Sequence, residues 1–307
     1  MARYLSRRIL QAFPTVIIVT IVVFLMLHLI PGDPAEIFVG ENRSTPEMIE
    51  RIREEMGLNR PLYVQYLDYM WNALQGDFGN SLNNKRPVLD EILLRLPYTA
   101  ELTLGAFLIA TFLGMSLGII AALFHNTIID SLTMVVALIG ISMPVYWSSL
   151  LLIILFSVTL KWLPPIGQGG LDRLIMPALA LGLLSAGGLA RLVRSSMLEV
   201  MSQDYITTAR AKGLTPSMVV WRHALKNALI PVVTFLGLMV GSLLGGAVLT
   251  ETIFARLGLG KMYVDAVLNK DFTLVQGTTL FIALMYVLIN IVIDIIYVYI
   301  DPRIRYD

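Results

Sequence analysis

Six stretches of the chain are apolar for long enough to be read as helices that cross a bilayer: residues 9–30, 99–124, 131–160, 174–194, 228–250 and 278–300. A helix rising 1.5 Å per residue needs about 20 such residues to span the hydrocarbon core. The third stretch contains Pro144, in Ile141-Ser142-Met143-Pro144. Proline removes a helix hydrogen bond, so this position predicts either a kink or the boundary between a span and a re-entrant piece. The first stretch follows Arg3, Arg7 and Arg8. It is too long for the apolar region of a secretory signal and no small-x-small cleavage site follows it, so it reads as a retained span.

Two polar intervals are too large to be simple connectors. Residues 31–97 predict a small helical cap. One helix starts at Ser44-Thr45-Pro46-Glu47 and carries Met48, Ile49, Ile52 and Met56 at helical spacing before Gly57. A second runs from about Pro61 to Gln75, and a third from Val88 to Leu96. Residues 195–227 predict a short helix opening at Ser202 or Gln203, with Asp204 in its first turn and Lys212 at its end. Acid near the start and base near the end suit the helix dipole, and Gly213 is available for a left-handed cap. Thr215-Pro216 then restarts a helix, threonine as N-cap and proline at its first position. The short helix carries small residues, Thr208, Ala209 and Ala211, and only Tyr205 and Ile206 as bulky apolar ones. That pattern suits insertion into a groove on a partner better than a helix resting on lipid headgroups.

Composition and charge give these elements a setting. The chain is 56% hydrophobic and 15% charged, with a mean hydropathy of +0.74; soluble domains carry about 25% charged residues. A net charge of +1 gives no reason to expect a nucleic-acid partner. There is no cysteine, hence no disulfide framework or thiolate metal site. Residues 1–8 hold three arginines and no acid, whereas 31–97 carries an excess of acidic over basic residues. Placing basic loops inside puts both termini and the 195–227 insert in the cytoplasm, and the 31–97 cap outside. The expected protein is all-α and multi-pass, in a bilayer. It has residues 1–30 as tail and first span, 31–97 as an extracytoplasmic helical cap, and 98–307 as a core of five spans with a cytoplasmic helix at about 203–213.

The motifs on this framework resemble a known family. Asp204-Tyr205-Ile206-Thr207-Thr208-Ala209-Arg210-Ala211-Lys212-Gly213, followed by Arg222-His223-Ala224-Leu225-Lys226-Asn227, is similar to the cytoplasmic EAA-loop signature of bacterial ABC importer permeases of the dipeptide/oligopeptide type. The stretches "LIPGDPA", "MGLNRPLYVQYLDYMWNALQGDFGNSL", "ETIFARLGLGKMYVDAVLNKDFTLVQ" and "IVIDIIYVYIDPRIRYD" resemble the same subfamily, in the same order. The resemblance implies one of two related permease subunits in the bacterial inner membrane. Its partners would be a homologous permease, two ABC ATPase subunits and an external peptide-binding protein. It implies that Asp204, Tyr205, Ala209, Arg210, Ala211, Lys212 and Gly213, with Arg222, His223 and Asn227, form the ATPase-docking segment. ATP and Mg would be bound by the partner subunits, with no cofactor in this chain. Related permeases serve dipeptides, longer peptides, glutathione and nickel chelates. The chain departs from the general signature, holding Thr207, Thr208 and Ala209 where Glu-Ala-Ala would stand.

The residues weigh against other functions. The nearest approach to a phosphate loop, Gly258-Leu259-Gly260-Lys261, has Ala255 where its first glycine belongs and Met262 in place of Ser or Thr. An ion-coupled carrier would need ionisable groups at mid-membrane; Asp294, one turn from Asn290, is the best placed, and a structural polar contact is its simpler role. An intramembrane enzyme would need clustered chemistry, but His28, His125 and His223 are scattered, and no nucleophile elbow or metal-spaced cluster accompanies them. The path-lining positions expected are Ser142, Pro144, Ser242 and Thr250. Glycine-bearing segments at 113–118, 185–190 and 241–247 mark places where helices can approach closely.

Overall fold

A computed structural model describes residues 2–29, 35–36, 45–55 and 57–300. The Ile30–Pro34 motif, Ser44, Met56 and the C-terminal residues 301–307 lie outside the described residues, as do the side chains of Arg3, Arg7, Arg8, His28 and Asp294. The described chain is helical: α1 Ala2–Leu29, α2 Pro46–Glu55, α3 Leu62–Leu74, α4 Val88–Leu123, α5 Ile128–Ser142, α6 Val145–Thr159, α7 Ile175–Met201, α8 Asp204–Ala211, α9 Pro216–Ile253, α10 Leu259–Leu268 and α11 Phe272–Ile300. In lipid, every backbone polar group must find its partner within the protein, and a helix does so within one segment. Helices α4, α7, α9 and α11 are long and apolar enough to cross a membrane, and α5 with α6 forms a sharply bent apolar pair, either one broken span or a re-entrant loop. In α1 the apolar stretch among the described side chains is Phe13–Leu25.

Pro144 breaks the third stretch outright: α5 and α6 meet at 107°. Met143 before it is extended (φ −81°, ψ 121°), the conformation a following proline imposes. Pro97 behaves otherwise and corrects an expectation. The helix predicted over Val88–Leu96 is not a separate outer element but the beginning of α4, which runs unbroken through Pro97. A proline forfeits its own N–H bond and its ring crowds the carbonyl four residues back, but α4 is held on both sides of it. Arg95 pairs with Glu91 one turn below, and the Thr99 hydroxyl donates to Glu251 at 2.5 Å above.

The described chain forms two compact units, Thr99–Arg256 with residues 292–300, and Ala2–Tyr98 with Leu257–Ile291. In the first, α7 is the central helix, packed by α4, α5, α6 and α9. Glycine sets the spacing. At Gly187 an added Cβ would stand 2.2 Å from the Ala137 carbonyl oxygen of α5; at Gly118 on α4 it would stand 2.6 Å from the Ala190 carbonyl oxygen of α7. Without a hydrophobic drive between helices in lipid, such close approach supplies the packing energy. Gly245 has nothing within 4 Å, while a Cβ at its neighbour Gly246 would meet Leu181.

The second unit is built round Phe78, Val88, Ile92, Leu259, Met262 and Val275. Its pin is Asp271, 1% exposed. One carboxylate caps α11 through the Leu274 N–H (3.1 Å) and gathers the loop before α4 through Ser81 Oγ (2.5 Å) and the N–H groups of Leu82 and Asn83 (3.0 and 3.4 Å). Against α1, Tyr66 of α3 shares a hydrogen bond with Thr20 (2.8 Å) and meets Phe24 edge to face. Another face of α3 leaves Tyr63, Leu67, Trp71 and Leu74 exposed.

Gly187→Ala is expected to destabilise the first unit by about 1–3 kcal/mol, the usual cost of overpacking. Gly245→Ala should be neutral. Thermal unfolding of the purified protein in detergent compares the two; equal melting temperatures would contradict the glycine spacing described.

Candidate functional site

The short helix predicted in the 195–227 insert is α8, and its ends follow the sequence signals closely. Gln203 precedes it in extended conformation, and Asp204 stands in its first turn. At the other end Lys212 is the C-cap and Gly213 takes φ +77°. The Gly213 N–H bonds to the Arg210 carbonyl (2.9 Å) and the Leu214 N–H to that of Ala209 (3.4 Å), the paired bonds of a Schellman stop. Only a residue that tolerates positive φ fits at 213. Two residues on, the Thr215 hydroxyl accepts from the Met218 N–H (3.4 Å) and Pro216 opens α9. The punctuation turns the chain sharply and leaves α8 a separate element.

What seats α8 is its inward face. Ile206 is fully buried and Ala209 nearly so. They join Leu189, Val193 and Met197 of α7 and Val219, Val220, Ala224, Ala228 and Val232 of α9 in one apolar cluster. Ala209 therefore packs within its own chain, and Thr208 and Ala211, grouped with it by size, face outward. Asp204, Tyr205, Arg210, Lys212, Gly213 and Arg222 are also exposed, and His223 is half-buried. Asn227 of α9 donates to the Tyr205 hydroxyl at 2.7 Å, which ties the start of α8 to α9. The exposed surface is thus a short rigid ridge, polar and mostly small, backed by aliphatic packing.

The four path positions fall in different settings. Ser142 is exposed at the end of α5, next to the break at Pro144, which is itself exposed. Ser242 is exposed on α9 with its hydroxyl on the Met239 carbonyl (2.9 Å), whereas Thr250 is fully buried and donates to the Gly246 carbonyl (3.4 Å).

Two charge clusters in this unit escaped the sequence reading. Asp130, at the start of α5, takes both arms of Arg194 from α7 at 2.7 Å, with His125 at 3.2 Å and the Asn126 N–H at 3.1 Å. It pins α5 to α7 about two turns before the end of α7. Arg256, fully buried, donates to Glu101 (2.8 Å) and to the Arg173 carbonyl (3.2 Å). Each joins residues far apart in sequence, and an acid or a base near a span end gives no local sign of its mate. Among the described residues no group of acids and histidines is placed to hold a metal ion.

The fold belongs to a known class. It is similar to a chain of the MetNI methionine ABC transporter in an inward-facing conformation, with a TM-score of 0.56 at 20% identity, covering 68% of this chain and 96% of that one. It is similar also to a chain of an amino acid ABC transporter solved with histidines (TM-score 0.52, 15% identity, 70% and 94% covered). In sequence, residues 114–306 match the family described as "Binding-protein-dependent transport system inner membrane component", and residues 1–103 match its N-terminal counterpart. The chain belongs to this family of transport permeases. It is 44% identical to the di/tripeptide transport system permease protein DppB of Pseudomonas aeruginosa, over all of this chain and 99% of that one. Its identity to the glutathione transport system permease protein GsiC of Escherichia coli K12 is also 44%, over the whole of both.

Ile206→Ala should loosen α8 from its seat at a cost of about 2–5 kcal/mol. Limited trypsinolysis reads this as faster cleavage after Arg210 and Lys212. Exposed Arg222→Ala should leave the cleavage rate at α8 unchanged.

Proposed function

We propose that this chain is one of two permease subunits of an ATP-driven importer of short peptides. In this reading it crosses the inner membrane six times, with α1 as the first span, α5–α6 as the broken third and both termini in the cytoplasm. The segment between α1 and α4 forms a helical cap on the outer side. A homologous permease completes the path, and an external binding protein delivers the cargo. Two ATPase subunits, each with its own ATP and Mg, drive the cycle.

The observation that carries the proposal is α8. It is stopped at both ends, seated by Ile206 and Ala209 in the cluster of α7 and α9, and exposes Asp204, Thr208, Arg210, Ala211 and Lys212. A helix-in-groove contact needs such a rigid, protruding element, and a permease without a phosphate loop of its own must grip its motor elsewhere. Peptide as the cargo is supported by the full-length likeness to DppB. The equal likeness to GsiC makes glutathione, itself a small peptide, the second cargo to test.

The test is co-expression with a cognate second permease, ATPases and binding protein. Peptide-stimulated ATP hydrolysis is expected only from the complete assembly. Ala211→Trp, which enlarges the exposed ridge, should weaken ATPase association by about 2 kcal/mol or more while leaving the melting temperature of the permease unchanged. Transport in liposomes by this chain without ATPase subunits would refute the proposal.

A further inference from the structure

The second unit contains a polar cleft of about 220 Å³. Two charged pairs line it, each spaced four residues apart on its helix: Glu91 and Arg95 at the start of α4, Lys261 and Asp265 on α10. Asn83, Asn84 and Asn269 add neutral donors and acceptors, while Met262, Ala266 and Leu274 supply apolar wall. Asp271 also lines the cleft, but its oxygens are already committed to Ser81, Leu82, Asn83 and Leu274. The cleft is thus a fixed concavity carrying both signs of charge, in a chain whose spans hold few charges.

We propose that this cleft binds a two-residue peptide by its two free ends, the carboxylate on Arg95 and the ammonium on Asp265. Charge selects the two free ends, and a volume of about 220 Å³ limits the ligand to a short peptide. Glu91 is shared by Arg95, by Arg86 at 3.7 Å and by Asn84 at 3.1 Å, so its charge does not depend on Arg95 alone. A guanidinium carries five N–H donors in a planar fork suited to a carboxylate, and the contacts of Arg95 to Glu91 run through a single Nη. Asp265 meets Lys261 Nζ with both oxygens at 2.9 Å, yet its side chain is 50% exposed, leaving room for a second cation. Partial burial strengthens both charge-assisted contacts over their worth in water.

This deepens the peptide-importer reading and rests on it for the cargo class. The experiment uses the assembled membrane complex in nanodiscs, without the external binding protein, and saturation-transfer NMR with alanyl-alanine as probe. Alanyl-alanine should give transfer signals, whereas its N-acetylated, C-amidated form should not, and free alanine should bind more weakly. Arg95→Gln and Asp265→Asn should each weaken binding about tenfold or more, with Arg95→Lys and Asp265→Glu recovering part of it. Equal signals from the blocked peptide, alanine binding as tightly as alanyl-alanine, or binding indifferent to both variants would overturn the cleft. Import of alanyl-alanine by a complex that shows no such binding overturns the cleft alone. Binding without any peptide-stimulated ATPase in the complete assembly supports the cleft and overturns the importer reading.

Discussion

The distance at which α4 and α5 approach α7 is the constraint on which the first unit depends. Helices in a bilayer gain nothing from hiding apolar surface that lipid already covers, so dispersion contact between closely apposed backbones has to hold them. Gly118 admits the Ala190 carbonyl and the Val193 side chain, and Gly187 admits the Ala137 carbonyl. The same Val193 forms part of the seat of Ile206 and Ala209. A contiguous line of packed atoms therefore runs from α8 through Val193 to α4. Force applied to the exposed ridge of α8 reaches the spans through contacts that are too close to compress. Coupling between distant sites travels through contiguous packed contacts of this kind.

The ion pairs work with this packing rather than in place of it. Burying the Asp130 carboxylate beside a half-buried Arg194 has a desolvation cost, and their attraction offsets this only with good geometry and further hydrogen bonds. Both are present: a two-point guanidinium contact, with the Asn126 N–H and His125 completing the carboxylate. Such a cluster adds less to net stability than to uniqueness, because any sliding of α5 on α7 would strand a buried charge. Arg256 and Glu101 hold the other end of the unit under the same logic, joining α4 to the residue that closes α9's exit turn.

Local chemistry was legible in the sequence; pairing across the fold was not. Gly213, Thr215-Pro216 and Pro144 each announced their structure, because left-handed caps, N-caps and prolines act within a few residues of themselves. The family resemblance, too, was carried by such local motifs and agrees with the family match over nearly the whole chain. The helix expected to end at Leu96 runs on through Pro97, because contacts on both sides of the proline hold it. The inward turn of Ala209 was hidden because small side chains suit either a partner's groove or the chain's own core, and only the position of α7 decides. Asp271, Arg256 and the cleft had no local sign at all. Asp271 lies about 190 residues from the loop it gathers, and the two walls of the cleft come from opposite ends of the chain.

That separation bears on how a carrier handles charged cargo. A site that binds a zwitterion tightly inside the spans would hold it there, since every charge stripped of water needs a partner it is reluctant to give up. In the cleft, Arg95 and Asp265 already have partners one turn away on their own helices. A departing ligand leaves no orphaned charge, because Glu91 and Lys261 reclaim it. Binding then gains only the difference between two sets of ion pairs, which keeps affinity low and release fast. Low affinity at the permease is what a binding-protein-dependent system needs: the delivering protein selects, and the permease must accept the cargo without competing to retain it.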